Sequence, residues 1–276
     1  MNFTSKTMRL QNADTVPYLQ FNSLSELKFI RHAFSTRLGG VSEGEFTSMN
    51  TAFNRGDDPA HVTENYRRIC AAAGFDFDSL VASAQDHHTY VRAVTSADRG
   101  VGIRKPRDRE SVDALITNEP GVTLVTYYAD CTPLFFVDTV THAVGLAHAG
   151  WRGTVGRIGQ KVVEKMTALY GTDPKDIMAA IGPAISVCCY EVDEPCAAQF
   201  LALRDLDSGK FVFPKGNGKF MVDLLETNRQ ILVKAGVPAE NIAVSDVCTN
   251  CHSDLLWSHR ATKGHRGTMS AFLLQE

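Results

Sequence analysis

Short apolar runs alternate with amphipathic segments along the whole chain. The runs are rich in Val, Ile, Leu, Phe and Tyr and end at Gly, Pro, Asp or Asn, a pattern typical of β-strands. The resulting strand predictions cover residues 29–36, 80–88, 89–97, 112–118, 122–129, 133–138, 142–149, 177–184, 242–248 and 268–274. Apolar residues at helical spacing predict helices over residues 59–74, 154–171, 194–205 and 221–236.

The helix predicted over residues 154–171 has the clearest pattern. Val155, Ile158, Val162 and Met166 follow the helical repeat, and Gly171 ends the segment. Strands and helices are mixed to the last residues, without a repeat, a low-complexity tract or a long linker. We therefore predict one α+β (mixed α/β) domain over residues 1–276, in which mixed β-sheets pack together and are flanked by helices.

Composition narrows the choice of partners and compartment. The chain has 276 residues, 44% of them hydrophobic and 21% charged, and a net charge of −3, so nothing global attracts nucleic acid or an anionic membrane. The densest basic cluster, residues 104–110, contains two acids and a proline and is predicted to be a solvated loop.

The expected compartment is the cytoplasm. The N-terminal segment lacks the apolar core of a secretory signal, and no run approaches the roughly 18 apolar residues of a membrane span. Seven scattered cysteines, an odd number, fit a reducing compartment better than a disulfide framework. The sequence leaves both a monomer and a homodimer open.

Cys131 and His148 are the first candidates for chemistry. They lie seventeen positions apart in YYADCTPLFFVDTVTHAVGLAHAGWRG, each at the end of a strand-like run. From the residues alone, the pair could be a nucleophile and its base, two metal ligands, or ordinary core residues. The glycine turn that follows His148 opens a helix, and Arg152 adds a cation, which suggests an anion site.

A third candidate ligand lies in QDHHTYV, which contains His87 and His88. In a strand, these adjacent side chains point to opposite faces, so only one would face a given site. Two histidines and one cysteine form a suitable set for a catalytic zinc, because three protein ligands leave a coordination position open.

The segment CTNCH, residues 248–252, matches two further motifs. Covalent haem attachment uses C-x-x-C-H but needs an export route. A structural zinc site needs a second pair of ligands, whereas Cys188 and Cys189 are adjacent and do not form a second C-x-x-C. Neither interpretation is favoured by the sequence.

Six ordered motifs resemble the YfiH or laccase-domain family, also described as multifunctional purine nucleoside phosphorylases and as peptidoglycan-editing factors. The resemblance runs from about residue 34 to 276. The motifs are FSTRLGGVSEGEFTSMN, GDDPAHVTENYRR, QDHHTYV, ADCTP with HAGWRG, IGPAISVCCYEV, and CT followed by WSHR. The chain departs from the family at Ser186, at His259 and in GHRGTM, which bears on substrate selectivity more than on the metal.

The resemblance implies a catalytic zinc held by His87, Cys131 and His148. The implied reactions are phosphorolysis of adenosine, inosine, guanosine and methylthioadenosine, and deamination of adenosine, with purine nucleosides and phosphate as the small-molecule partners. A zinc with an open position suits attack on C6 of adenine. Residues predicted to contact phosphate or ribose are Arg37, Asn50, Asp57, Arg152 and Arg260.

Three other functions remain open from the sequence. Soft Cys and imidazole ligands would also accept copper, as in a laccase-type polyphenol oxidase, although the His-x-His pairs of multicopper oxidases are missing. Cys131 and His148 could instead serve a hydrolase that edits a peptidoglycan precursor. A metal-holding binding module without turnover is the remaining alternative.

Overall fold

Two six-stranded β-sheets form the centre of the molecule. The computed structural model describes residues 3–12 and 14–276. The strands are β1 (Met8–Gln11), β2 (Tyr18–Phe21), β3 (Ile30–Ser35), β4 (Leu80–Ala82), β5 (Val91–Ala93), β6 (Ala114–Thr117), β7 (Thr123–Tyr128), β8 (Thr132–Asp138), β9 (Val144–Ala149), β10 (Ile177–Ile181), β11 (Glu191–Asp193), β12 (Val212–Gly216), β13 (Lys219–Val222), β14 (Ile242–Val244) and β15 (Met269–Gln275).

The chain crosses between the two large sheets several times, for example from β4 to β5 and from β7 to β8. The first sheet has the order β1-β2-β3-β15-β7-β4, the second β14-β10-β8-β9-β6-β5, and a small third sheet β11-β13-β12. Both six-stranded sheets mix parallel and antiparallel pairs, since β4 is parallel to β7 and β5 is parallel to β6 while the other pairs around them are mostly antiparallel.

Side chains along β8 alternate between two core clusters, which shows how the layers stack. Phe135 and Val137 belong to the core cluster shared with the first sheet, whereas Leu134 and Phe136 belong to the cluster that contains the helices on the other face. Successive strand residues point to opposite faces, so a strand apolar at every position is buried on both sides. The two large sheets therefore pack face to face with helices outside them.

Helices cover the outer faces of both sheets. They are α1 (Pro59–Ala73), α2 (Trp151–Val155), α3 (Ile158–Tyr170), α4 (Glu194–Leu201), α5 (Leu224–Lys234) and α6 (His259–Thr262). Helix α1 packs on the first sheet, α3 and α5 on the second, and α4 on the small sheet. The mixed α+β architecture predicted from the sequence is confirmed.

Local signals explain where the helices begin and end. The Asp58 carboxylate accepts a hydrogen bond of 2.8 Å from the N–H of Ala60, Pro59 occupies the first turn, and Gly74 ends α1 with a φ of +76°. The predicted helix over residues 154–171 is two helices instead. Gly156 ends α2 and Arg157 has a φ of +59°, so the backbone turns before α3 begins.

Two further differences concern strands. The strand predicted over residues 80–88 ends at Ala82, and the following residues form a loop. Strands β1, β2, β11, β12 and β13 were not predicted. They are three to five residues long, too short for a periodic pattern to distinguish them from loops. In the described ranges, no helix combines the length and apolarity needed to cross a bilayer.

Prediction one concerns His32, which is 2% exposed and whose Nε2 accepts a hydrogen bond from the N–H of Phe21. Burial, assisted by Arg9, lowers the pKa of His32 to about 3. When a histidine has a lower pKa in the folded state than in the unfolded state, the protein loses stability as the pH falls below the unfolded-state pKa. Through His32, the wild-type protein should lose about 2 kcal/mol of unfolding free energy between about pH 7.5 and about pH 5. We expect His32→Gln to abolish this loss.

Urea unfolding at the two pH values measures this difference. His265→Gln is the matched control, because that side chain is 81% exposed. Equal pH dependence in wild type and His32→Gln would contradict a neutral, buried His32.

Candidate metal centre

The β8–β9 hairpin explains why Cys131 and His148 meet. In its register, Thr132 pairs with Ala149 and Pro133 pairs with His148, so Cys131 lies opposite Gly150. A side chain at Gly150 would clash, since a Cβ there would lie 3.1 Å from the Cys131 sulfur and 2.9 Å from Nδ1 of His87. The glycine therefore leaves the space into which three donor side chains converge.

Cys131 lies where the chain crosses between the two large sheets. Strand β7 belongs to the first sheet and β8 to the second, with residues 129–131 between them. Asp130 has a φ of +86°, and its carboxylate accepts hydrogen bonds from the Thr249 hydroxyl at 2.6 Å and the Arg260 N–H at 2.7 Å. These contacts fix the backbone immediately before the cysteine.

His87 lies in a loop, which corrects the strand predicted for QDHH. Its φ is +69°, a left-handed conformation outside the strand region. The buried Asp113 carboxylate accepts hydrogen bonds from the backbone N–H groups of His87 at 3.1 Å and His88 at 3.0 Å. The loop therefore wraps around one carboxylate and presents His87 towards Cys131, while His88 pairs with Asp86 at 2.8 Å.

The three predicted ligands come together. One donor atom from each of His87, Cys131 and His148 lies within 4.8 Å of the others. The two imidazole rings are edge to face with centroids 4.9 Å apart. A thiolate and two imidazoles form a donor set that suits zinc or copper, so the side chains fit a bound metal.

Asp113 also orients His148. Its Oδ1 lies 2.8 Å from Nδ1 of His148, and both side chains are almost wholly buried. A carboxylate bonded to one ring nitrogen sets the tautomer and directs the other nitrogen to the metal. His148 is also held through its backbone, since its N–H donates to the carbonyl of Asp113 at 2.8 Å.

The charges of this cluster are coupled. Burial opposes the charged form of His148, but the Cys131 thiolate and the Asp113 carboxylate outweigh burial and raise its pKa to about 9. Burial likewise raises the pKa of Cys131, but His148 and His87 outweigh it and lower this pKa to about 6. Without metal, the pair is therefore a thiolate beside an imidazolium near neutral pH.

A cavity of about 160 Å³ opens above the three side chains. Its lining consists of Ala52, Asn54, Arg55, Gln85, His87, Arg107, Tyr127, Tyr128, Ala129, Cys131, His148, Arg266 and Thr268. The Gln85 amide is bonded to the backbone of Tyr127 at both ends, at 2.6 and 2.8 Å, and holds the His87 loop against β7. The cavity thus combines the donor set, two tyrosines and three arginines.

Arg266 has the most unusual environment of the three arginines. Its Nε is buried and has no hydrogen-bond partner, while its Nη1 donates to the Gly267 carbonyl and the Thr268 hydroxyl. Burial, assisted by the neighbouring Arg55, lowers its pKa to about 10. A half-buried guanidinium with a buried, unsatisfied Nε beside a second cation suits an anion.

The five predicted substrate contacts do not line this cavity. Arg37 lies over the Trp257 ring at 3.9 Å and donates to the Ser253 carbonyl at 2.8 Å. Asn50 and Asp57 are bonded to each other at 2.8 Å. Asn50 nevertheless supports the cavity wall, because its side chain bonds the backbones of two lining residues, Ala52 and Thr268.

Arg152 and Arg260, the other two predicted substrate contacts, lie outside the cavity lining and contact protein groups. Arg152 lies over the Trp151 ring at 4.4 Å. The Arg260 guanidinium donates to the carbonyls of Cys189 at 3.1 Å and Glu191 at 3.0 Å. Their roles as substrate contacts stay predictions, for a ligand that extends beyond the cavity.

Sequence reasoning missed Asp113 and the three cavity arginines. Asp113 stands inside the apolar run VDALITN, and a charge within a buried strand pattern was the available signal. Arg107 belongs to the basic cluster predicted to be a solvated loop, and Arg266 to GHRGTM. No sequence spacing relates Arg55 to Arg107 or Arg266, because only the tertiary fold brings these three segments together.

Comparison with known proteins identifies the family. The model of the multi-copper polyphenol oxidoreductase laccase family matches residues 31–276. The chain belongs to this laccase-domain family. It is 40% identical over 244 residues to "Purine nucleoside phosphorylase YlmD" of Bacillus subtilis, covering 87% of this chain and 86% of that protein.

Two solved structures of the family have the same fold. The hypothetical protein YfiH of Bacillus licheniformis superposes with a TM-score of 0.90 at 33% identity, covering 97% of this chain and 99% of its own. YlmD of Geobacillus stearothermophilus superposes with a TM-score of 0.88 at 35% identity, covering 97% and 98%. The resemblance predicted from six motifs is confirmed.

Prediction two tests Asp113 as the residue that positions His148 and the His87 loop. Asp113→Asn keeps the size of the side chain but replaces one carboxylate oxygen with an NH₂ group, which faces the donors that the carboxylate accepts from. The His87 loop and His148 would lose their support, so we expect zinc affinity to fall about 10- to 100-fold. Competition with a chromogenic chelator measures the affinity. Asp138→Asn is the matched control, since Asp138 is equally buried and accepts backbone N–H bonds in the turn at the opposite end of β8. An equal loss of affinity in both variants would contradict the assignment.

Proposed function

We propose that this laccase-domain protein is a zinc-dependent purine nucleoside phosphorylase that also deaminates adenosine. The main support is the convergence of His87, Cys131 and His148 at a cavity that also contains three arginines. Further support comes from the Bacillus subtilis relative, which is named a purine nucleoside phosphorylase. Adenosine, inosine, guanosine and methylthioadenosine are the proposed nucleosides.

The donor set supports zinc as the metal. Cys131, His87 and His148 would be its three ligands, with a fourth position left to water or substrate. When bound, zinc supplies a Lewis acid for the reaction. Asp113 keeps Nδ1 of His148 occupied, so the imidazole offers Nε2 to the metal.

Phosphate would bind at the arginine side of the cavity. The unpartnered Nε of Arg266 and the guanidinium groups of Arg55 and Arg107 provide donors for phosphate oxygens. In phosphorolysis, a phosphate oxygen forms a bond to C1′ of the ribose as the C1′–N9 bond breaks. The electrons of the C1′–N9 bond leave with the purine, which takes up a proton. The arginines would orient the nucleophile and separate its charge from the Cys131 thiolate.

Tyr127 is a candidate contact for the purine or ribose. It lines the cavity, and its hydroxyl bonds that of Tyr66 at 3.0 Å, which fixes the ring. An aromatic face held rigidly suits stacking by a planar base.

The seven cysteines, all free thiols in the described chain, support the proposed cytoplasmic location.

A Cys–His hydrolase is a second candidate because the metal-free pair favours a thiolate beside an imidazolium. Such a pair is the activated form of a cysteine nucleophile. A metal-bound thiolate is a poor nucleophile, so the two functions exclude each other in the same molecule. Alkylation of Cys131 in zinc-loaded protein, with loss of activity and retention of the zinc in the cavity, would favour the hydrolase.

Copper oxidation of phenols has less support. Among residues 3–12 and 14–276, the potential metal groups are the His₂Cys set and one group of four cysteines. Four-electron reduction of oxygen uses several coppers with mostly imidazole ligands, which these two groups do not provide. Oxygen uptake with a diphenol by copper-loaded protein, and not by zinc-loaded protein, would favour this alternative.

Prediction three is the direct test of the proposed reaction. Zinc-loaded protein should convert adenosine to adenine and ribose 1-phosphate only when phosphate is present, and to inosine with or without phosphate. Chelation should abolish both products, and added zinc should restore them. His148→Ala should lose the cavity zinc and turnover, whereas His142→Asn, at an exposed position in the β8–β9 turn, should retain them.

The reaction is followed by chromatographic separation of the products and the metal by elemental analysis. Undiminished turnover in metal-free protein, or zinc-loaded protein that leaves all four nucleosides unchanged, would contradict the proposal.

Prediction four tests Arg266 as the phosphate contact. Arg266→Ala removes a charge-assisted hydrogen bond worth about 1.5–3 kcal/mol, so we expect KM for phosphate to rise about 10- to 100-fold. The rate of inosine formation should change much less, because deamination does not use phosphate. Arg229→Ala, which breaks an ion pair with Glu226 on α5, is the control. A parallel loss of both activities would indicate a structural role for Arg266 instead.

A further inference from the structure

Four cysteine side chains outside the catalytic cavity form a second cluster. The sulfurs of Cys188, Cys189, Cys248 and Cys251 all lie within 4.8 Å of one another. The cavity chemistry uses none of them. All four are free thiols, and Cys188 and Cys251 are exposed to solvent.

Two adjacent turns bring the four sulfurs together. Residues 186–189 form one turn, in which the N–H of Cys189 donates to the Ser186 carbonyl at 2.9 Å. Residues 248–252 form the other, closed by a 3.0 Å bond from the His252 N–H to the Cys248 carbonyl. Within a turn, consecutive side chains do not point to opposite faces as they do in a strand. Adjacent Cys188 and Cys189 can therefore contribute to one site, although their sequence spacing argued against it.

The two turns are joined by backbone pairing. Ala184 forms a parallel bridge with Cys248, and the Thr249 N–H donates to the Ala184 carbonyl at 3.0 Å. The Ser186 N–H faces the Cys248 sulfur at 3.4 Å. Backbone N–H groups directed at a sulfur stabilise a thiolate in place, since they are donors to its negative charge.

The spacing of the sulfurs matches a tetrahedral metal site. Cys188 and Cys189 are separated by 3.6 Å, Cys188 and Cys251 by 3.7 Å, and Cys189 and Cys251 by 3.4 Å. Four sulfurs at about 2.3 Å from a zinc ion are about 3.8 Å apart. These separations exceed the roughly 2.05 Å of a disulfide bond.

Charge gives the second reason for a cation. Four thiolates in such close proximity repel each other, and each makes its neighbours harder to ionise. A divalent cation at the centre would compensate the thiolate charges, and an all-sulfur set selects soft or borderline metals over Mg²⁺ or Ca²⁺.

We propose that Cys188, Cys189, Cys248 and Cys251 bind a second, structural zinc ion, separate from the His₂Cys site. The set is closed, since four protein ligands leave no position for water or substrate. The site would join the 186–189 and 248–252 turns beside Asp130. The Thr249 hydroxyl, in the second turn, bonds the Asp130 carboxylate directly. The first turn is linked to the same carboxylate through Arg260, whose guanidinium donates to the Cys189 carbonyl and whose backbone N–H donates to Asp130.

Prediction five measures the second zinc without using activity. Cys131→Ser should remove the cavity ion and leave a zinc bound only by sulfur, with X-ray absorption giving four sulfurs at about 2.3 Å. The double variant Cys188→Ser/Cys251→Ser should lose this ion and keep the mixed nitrogen and sulfur site. Cys196→Ser, at a half-buried cysteine on α4 outside both groups, should keep both ions.

Wild-type protein provides a test that does not depend on the folding of variants. After addition of Zn²⁺ alone, the exposed Cys188 and Cys251 should resist alkylation, and a chelator should release them, as read by peptide mass spectrometry. Three outcomes would overturn the proposal. They are rapid alkylation of both thiols in zinc-saturated protein, a disulfide among the four cysteines in freshly purified protein, and no sulfur-only zinc in Cys131→Ser.

Discussion

One buried carboxylate organises the candidate metal centre. Asp113 is fully buried immediately before β6, and its oxygens face the backbone N–H groups of residues 86–88 and Nδ1 of His148. A carboxylate without solvent is costly unless donors surround it, so the loop and the imidazole have to adopt this arrangement together. Two of the three candidate ligands are thus positioned by a residue that is not itself a ligand.

The third ligand depends on a different constraint, the crossing between sheets. Cys131 follows directly after the chain leaves β7 in one sheet and before it enters β8 in the other. Antiparallel pairing of β8 with β9 then places Gly150 opposite the cysteine, where a larger side chain would meet both Cys131 and His87. The donor set therefore follows from sheet topology, the hairpin register and one glycine, together with the Asp113 contacts.

The sequence predicted the elements that have a helical repeat or a continuous apolar run, and missed those that depend on tertiary contacts. Helices α1 and α5 were predicted from apolar residues at helical spacing, and strands β6 to β9 from short apolar runs. The QDHH loop was predicted as a strand, since apolar residues precede it and nothing local reveals that Asp113 binds its backbone. The candidate ligands were found from motifs, whereas the arginines of the cavity come from three distant segments.

Asp130 explains why the two cysteine-containing groups are neighbours in the fold. Its carboxylate accepts a hydrogen bond from the hydroxyl of Thr249, in the turn that contains Cys248 and Cys251. Its backbone carbonyl accepts a hydrogen bond from the N–H of Ile185, which precedes the turn that contains Cys188 and Cys189. Its left-handed backbone then directs Cys131 to the cavity. Because Asp130 bonds one turn and the residue that precedes the other, two hydrogen bonds connect the thiol cluster to the backbone before Cys131. A rigid link of this kind suits a cluster with a structural role, since a metal ligand must be held within a few tenths of an ångström.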